Sequence, residues 1–155
     1  MVLQLAGELV LDPGTDPTFF SHYIGEAPHT GVWRTGDLVR EDEDGYLFFE
    51  GRTDDVIVSA GYRIGPFEVE SALVAHPAVA DAAAVAAPDA ERGSVVRAIV
   101  VLQDGSQPSD ALARELQDHV KAETAPYKYP RIVEFADELP RTPSGKVRRA
   151  QLRET

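Results

Sequence analysis

Two strand-like apolar runs, Ala82 to Ala87 and Val95 to Leu102, the second broken only by Arg97, lie close together with Pro88, Asp89 and Gly93 as breakers between them. Each has the length of a strand and is bounded by turn formers, so the pair predicts two neighbouring strands at the centre of the fold. Helical signals flank them. Gly65-Pro66 opens a helix upstream, because proline is preorganised for a first helical turn, and Val69, Ala72 and Leu73 repeat at three-to-four spacing until His76-Pro77. Downstream, Ser109 can cap a second helix whose Leu112, Leu116 and Val120 form one apolar stripe, with Pro126 marking its stop. A strand over Ile132 to Phe135 and a basic segment from Gly145 to Arg153 complete a mixed α+β domain.

Turn chemistry dominates the first third. A short strand is expected over Gly7 to Leu11, then the breakers Asp12-Pro13-Gly14, then a helix around Phe19 to Ile24. Phe19, Phe20, Tyr23 and Trp33 need a partner surface, so this opening reads as part of a larger domain. Asp44-Gly45, ahead of Tyr46-Leu47-Phe48-Phe49, marks a hairpin with positive φ at its tip. A second hairpin is expected where Asp55 to Val58 meets Ser59-Ala60-Gly61 before Tyr62-Arg63-Ile64. Its small residues permit a close backbone approach to a ligand, which makes that turn a site candidate.

Composition excludes several function classes. The chain has 155 residues, 43% of them hydrophobic, enough for a real core, and no apolar run of membrane-spanning length. With no basic-then-apolar opening, a cytoplasmic protein is the expectation. The lack of cysteine removes disulfides, thiolate ligands and a thiol nucleophile. A net charge of -11 argues against nonspecific binding to nucleic acid or anionic membrane. Yet Lys121, Lys128, Arg131, Arg141, Lys146, Arg148, Arg149 and Arg153 gather late in the chain, leaving room for a local anion-binding face. His22, His29, His76 and His119 lack metal-ligand spacing, so no metal site is expected. Glu68 and Glu70, two residues apart on a helix, point to different faces and suit local ionic or capping roles.

Three ordered segments carry a resemblance: Trp33-Arg34-Thr35-Gly36-Asp37-Leu38, the block from Gly51-Arg52-Thr53-Asp54-Asp55 through Gly61-Tyr62-Arg63-Ile64-Gly65-Pro66 to Glu70, and Leu139-Pro140-Arg141-Thr142-Pro143-Ser144-Gly145-Lys146. In order and separation they resemble the adenylate-forming superfamily of acyl-CoA synthetases, luciferases and peptide-synthetase adenylation domains. Ala125-Pro126-Tyr127-Lys128-Tyr129-Pro130-Arg131 is most similar to the medium-chain acyl-CoA synthetases. The resemblance implies a small C-terminal lid domain over 54–155, a hairpin plus a mixed three-stranded sheet with flanking helices. Residues 1–53 would then be the β-rich end of a large N-terminal adenylation domain.

The resemblance also implies roles. Lys146, on a flexible turn after Ser144-Gly145, would be the adenylation lysine, a compact cation for the charge that builds as a carboxylate meets the α-phosphate of ATP. Asp37 would hold the ribose diol and Arg52 nucleotide oxygens; otherwise Asp37 is a turn aspartate and Arg52 an exposed partner of Asp54 or Asp55. Asp54 would be the hinge, letting a rotation exchange Lys146 for the Ser59–Tyr62 turn between two half-reactions. Ala60, Gly61 and Tyr62 would border the pantetheine arm of coenzyme A, with Arg63, Arg92, Lys121, Tyr129, Pro130 and Arg131 at its phosphates and adenine. Tyr127 and Tyr129 could also be packed loop aromatics.

The phosphate loop, adenine motif and acyl pocket of that superfamily do not occur in this sequence. Lys146 is therefore expected to need a partner domain, in cis or in trans, and the chain alone to be inactive. The expected reaction is activation of a carboxylic acid by ATP, with Mg2+ accompanying the nucleotide, and transfer to coenzyme A. The alternative is a non-catalytic module that binds coenzyme A or docks on another protein. A carrier-protein thiol or oxygen as the final acceptor is a third reading, against which Tyr127 to Arg131 argues by likeness.

Overall fold

The computed structural model describes residues 5–15, 17–20 and 22–154. The chain divides into two compact units, Met1–Asp54 and Asp55–Thr155.

In the first unit, β1 (Leu5–Leu11), β2 (Trp33–Glu41) and β3 (Leu47–Arg52) form an antiparallel sheet in the order β1-β2-β3. The β2–β3 hairpin turns through Asp42 to Tyr46, where Gly45 N donates to Asp42 O at 3.1 Å and Asp42 N to Tyr46 O at 3.1 Å. Only Gly45 in this turn has positive φ, 82°. The connection is thus a type I turn closed by a glycine bulge rather than the two-residue mirror-image turn that Asp-Gly suggests. The expected helix at Phe19 to Ile24 does not form over its described residues. Phe19, Phe20 and Tyr23 instead pack around Trp33, with Phe20 at 5.1 Å and Tyr23 at 5.9 Å between ring centroids. A helix would carry consecutive rings to different faces, whereas this loop brings them to one indole.

The second unit is built on the sheet β6-β7-β8, with β6 (Val79–Asp89) antiparallel to β7 (Gly93–Leu102) and β8 (Ile132–Phe135) parallel to β7. Pro88 and Asp89 fall inside β6, not between strands. Proline is tolerated there because β6 is an edge strand and Pro88 sits near its end. The runs are almost wholly apolar because both sheet faces are covered; the exception, Arg97 in β7, is buried and donates through Nη2 to Leu152 O at 2.8 Å. Ala82, Ala84, Val96, Ala98 and Val100 face a core completed by α1 (Pro66–Val74) and α2 (Asp110–Glu123). Ala83, Val85 and Ile99 face the opposite way, onto Leu139 and Leu152 of α3 (Arg149–Glu154).

The cap expectations match the structure. Ser109 Oγ accepts from Leu112 N at 3.1 Å, and Gly65 precedes α1 with Pro66 in its first turn. A small antiparallel hairpin, β4 (Ile57–Ser59) with β5 (Tyr62–Ile64), drops Ile57 and Ile64 into the first core and leaves Val58 and Tyr62 exposed. His76 and His119 lie between the two long helices, where His119 Nε2 bonds Ala72 O at 3.0 Å and His76 Nε2 meets Glu115 at 3.2 Å.

Candidate functional site

Asp37 and Arg52 face each other across β2 and β3, and Arg52 Nη1 donates to Asp37 Oδ1 at 3.1 Å. A bulge arranges this. Pairing runs regularly from Glu41↔Leu47 to Val39↔Phe49, then slips so that Leu38 faces Gly51 and Asp37 faces Arg52. Without the extra residue on β3, glycine rather than arginine would oppose the aspartate. Gly51 accommodates the slip with φ 146°.

The same guanidinium donates to Thr35 O at 3.0 Å and, through Nε, to Asp54 Oδ1 at 3.1 Å. The bond and charge of Asp54, followed by those of Asp37, raise the Arg52 pKa above its ordinary value, so it remains a cation. The ion-pair reading of Arg52 thus holds for Asp54, and Asp37 joins the same cluster. Gly36 makes room for it: φ is 77°, and a Cβ there would lie 2.7 Å from Arg52 Nη2. The Thr-Gly-Asp backbone is strapped to β1, with Thr35 Oγ1 donating to Leu9 O at 2.8 Å and Gly36 N to Glu8 Oε1 at 3.1 Å.

The β4–β5 turn is tight. Ala60 and Gly61 have φ of 48° and 84°, the two positive values that a two-residue turn of the strand-compatible hand requires. Ala60 is the only described non-glycine residue with positive φ, and holding alanine there costs about 1–2 kcal/mol. Its amide is fixed by donation to Arg92 O at 3.0 Å, and Ser94 Oγ donates to Val58 O at 2.6 Å, so the hairpin is moored to the β6–β7 turn. Apart from Gly61 and its two chain neighbours, no described atom lies within 4 Å of where a Gly61 Cβ would be, so the tip opens to solvent.

Most of the other coenzyme A candidates gather beside this tip. Tyr62 stacks on Tyr127 with ring centroids 4.3 Å apart and planes at 19°. That joins the hairpin to the loop after α2. Within this loop Tyr129 is half-buried, with Lys121 Nζ 4.3 Å and the Arg131 guanidinium 5.1 Å from its ring centroid, a cation–π arrangement. Lys128 holds the loop to α1 through Glu68 at 2.5 Å. Lys121 pairs with Asp118 at 2.7 Å, whereas the exposed Arg63 and Arg92 guanidiniums have no partner among the described residues. The side chain of Pro130, another candidate, is fully buried.

Lys146 sits on a third turn. Arg141 and Val147 form a bridge, Gly145 N donates to Thr142 O at 2.8 Å, and Thr142 N donates to Lys146 O at 2.8 Å. Gly145 supplies φ of 86°. The turn expected to be flexible is therefore closed by its own backbone, while the lysine side chain is exposed and has no partner among the described residues. Past it, Arg149 Nη2 donates to both oxygens of Glu70 at 2.8 Å, and Arg149 and Arg153 both engage Asp55, at 3.4 and 2.5 Å. Asp55 and Glu70 are only 15% and 13% exposed, so the last helix is held by largely buried carboxylates. The sequence showed the parts of this network, a basic segment reaching Arg153 and a local ionic role for Glu70, but not their pairing. Among the described residues, no group of three or more His, Cys, Asp or Glu could hold a metal ion.

The two turns are moored to opposite ends of one strand. Arg141 reaches Asp81 near the start of β6, and the hairpin tip is bonded to the turn just past Asp89 at its end. Eight residues of extended chain separate these anchors, roughly 26 Å at about 3.3 Å per residue.

The profile of the AMP-binding enzyme C-terminal domain matches residues 68–146. The chain belongs to this family. It is 60% identical over 119 residues to an uncharacterised acyl-CoA ligase, YtcI, of Bacillus subtilis, covering 77% of this chain and 22% of that protein. It is 52% identical over 158 residues to the mitochondrial acyl-coenzyme A synthetase ACSM4 of Rattus norvegicus, covering 96% and 27%. The solved o-succinylbenzoate CoA synthetase of Bacillus subtilis, in complex with an acyl-adenylate intermediate, aligns with a TM-score of 0.79 at 36% identity over 97% of this chain and 31% of that one. The chain thus spans about a quarter of the length of the curated relatives it matches. All three of these relatives are named as acyl-CoA ligases or synthetases. No helix among the described residues is long and apolar enough to cross a membrane.

Proposed function

We propose that this chain supplies the moving part of an AMP-forming acyl-CoA synthetase. In the first half-reaction an acid carboxylate attacks the α-phosphate of ATP and pyrophosphate leaves. In the second, the thiol of coenzyme A attacks the acyl carbon and AMP leaves. Lys146 presents its ammonium to the first, where a placed cation offsets repulsion between carboxylate and phosphate. Asp37 and Arg52 hold the nucleotide ribose and its neighbouring oxygens. The Ala60-Gly61-Tyr62 tip then frames the pantetheine arm, with Arg63, Arg92, Lys121, Tyr129 and Arg131 at the phosphates and adenine. Mg2+ travels with ATP, and the acidic residues of this chain are not its ligands.

The carrying observation is that an exposed lysine and an open glycine turn are anchored at opposite ends of β6. One rigid unit can serve both steps only by turning, and Asp54, at the boundary between the two units, is the hinge in this reading. Residues 1–53 belong with the large adenylation domain and 54–155 with the lid. The phosphate loop and acyl pocket come from an N-terminal domain in cis or in trans, and the enzyme works in the cytoplasm.

ATP–pyrophosphate exchange, measured with and without an N-terminal domain of an acyl-CoA synthetase, tests this. Exchange is expected only with the added domain; exchange by the chain alone would refute the reading. A second reading, a coenzyme A-binding module without catalysis, is favoured by one fact: every coenzyme A candidate lies within Asp55–Thr155. Calorimetric binding of coenzyme A by the chain, with no exchange in any combination, would select it.

A further inference from the structure

The Lys146 turn is restrained more than an exposed lysine requires. The peptide unit between Gly145 and Lys146 is held at both polar ends. Its carbonyl accepts from Arg141 Nη1 at 2.5 Å, and its N–H donates to Thr142 Oγ1 at 3.1 Å. Arg141 does not float: its Nη2 engages the Asp81 carboxylate, whose other oxygen accepts from Ala82 N at 3.0 Å. Asp81 stands where β6 slips register against β7 between Val79 and Asp81. A planar guanidinium with one nitrogen on each partner therefore fixes the Gly145 carbonyl relative to strand β6. Side chains as exposed as these two, at 43% and 36%, form ion pairs that add little to stability. What the pair does contribute is direction.

We infer that Arg141, seated on Asp81, is a positioning residue for Lys146 that sets the line along which the ammonium leaves the turn. The inference rests on the adenylation role proposed for Lys146. The leverage is large: a rotation of roughly 10° at Cα carries an ammonium about 6 Å away through about 1 Å, and such a misplacement can cost about 100-fold in rate. Because the coenzyme A candidates are moored at the other end of β6, loosening Arg141 affects adenylation and spares thioester formation.

The test combines hydrogen exchange on the whole chain with half-reaction kinetics after adding an N-terminal domain. Arg141→Ala and Asp81→Asn are expected to speed exchange at the Lys146 amide about tenfold, the scale of one lost hydrogen bond, while β7 amides stay protected. Both substitutions are expected to lower ATP–pyrophosphate exchange, Arg141→Ala by about 100-fold, and to leave thioester formation from supplied acyl-adenylate intact. Arg141→Lys, which keeps the charge but cannot reach both partners with a planar fork, should recover part of the loss. Unchanged exchange at Lys146 in both variants, or equal loss in both half-reactions, would overturn the inference. If instead Lys146→Ala kept full pyrophosphate exchange, the role of the lysine itself would fall, and that of Arg141 with it, even with the turn visibly loosened.

Discussion

The Ala60-Gly61 turn and the Thr142–Lys146 turn solve opposite problems. At the first, two successive residues adopt positive φ and the tip carries almost no side chain, so what it presents is backbone and space. At the second, side chains of Thr142 and Arg141 grip the backbone and the tip presents a long cation. A surface that must let a thin, flexible ligand arm pass is served by removing atoms. A charge that must arrive at a defined point is served by bracing the peptide from which it projects. Both turns are moored to the sheet, and what the difference teaches, on the roles proposed for them, is that one is built to leave space and the other to aim a charge.

The largest expected effect comes from deleting the delivered group. Lys146→Ala should lower adenylation about 1000-fold with little change in thioester formation, read by pyrophosphate exchange against single-turnover use of acyl-adenylate. Equal losses would erase the contrast between the turns. Removing the brace behind the lysine turn comes next. Arg149→Ala leaves Glu70 and Asp55 without their shared partner in a largely buried site, so urea unfolding should show a loss of about 3 kcal/mol. A loss under about 1 kcal/mol would mean the helix is held by Leu152 packing and the Arg153–Asp55 pair without need of Arg149.

On the hairpin side, Tyr127→Ala removes the ring on which Tyr62 stacks and should weaken coenzyme A binding about tenfold by calorimetry. Unchanged affinity would show the stack to be packing without consequence for the ligand. The smallest effect tests strain directly. Ala60→Gly relieves an unfavourable φ at the cost of unfolded-chain entropy, and should raise stability by about 0.5 kcal/mol in the same unfolding assay. Destabilisation would mean the alanine methyl packs usefully and the tip is not strained.

Local signals were legible in the sequence, and long-range charge pairing was not. The Ser109 cap, Gly65-Pro66 and the Asp-Gly hairpin act within a few residues, so they could be read without the fold. The apolar runs announced β6 and β7, although Pro88 and Asp89, taken as breakers, belong to the strand because an edge tolerates a missing donor. Phe19 to Ile24 looked helical because its aromatics were counted by spacing, while their packing around Trp33 depends on β2 lying beside them. In the site, Asp37 and Arg52 could each be proposed, but their pairing depends on a single bulge residue in β3. Asp81 with Arg141 and Asp55 with Arg149 are separated by 60 and 94 residues, and no periodicity encodes a partner at that range.

The 2.5 Å bond between Asp55 and Arg153 joins the first residue of the second unit to its last helix, 98 positions later. Start and finish of that unit are therefore neighbours, the arrangement that lets a domain be grafted into a host chain, closed into a ring or permuted to new termini with a short linker.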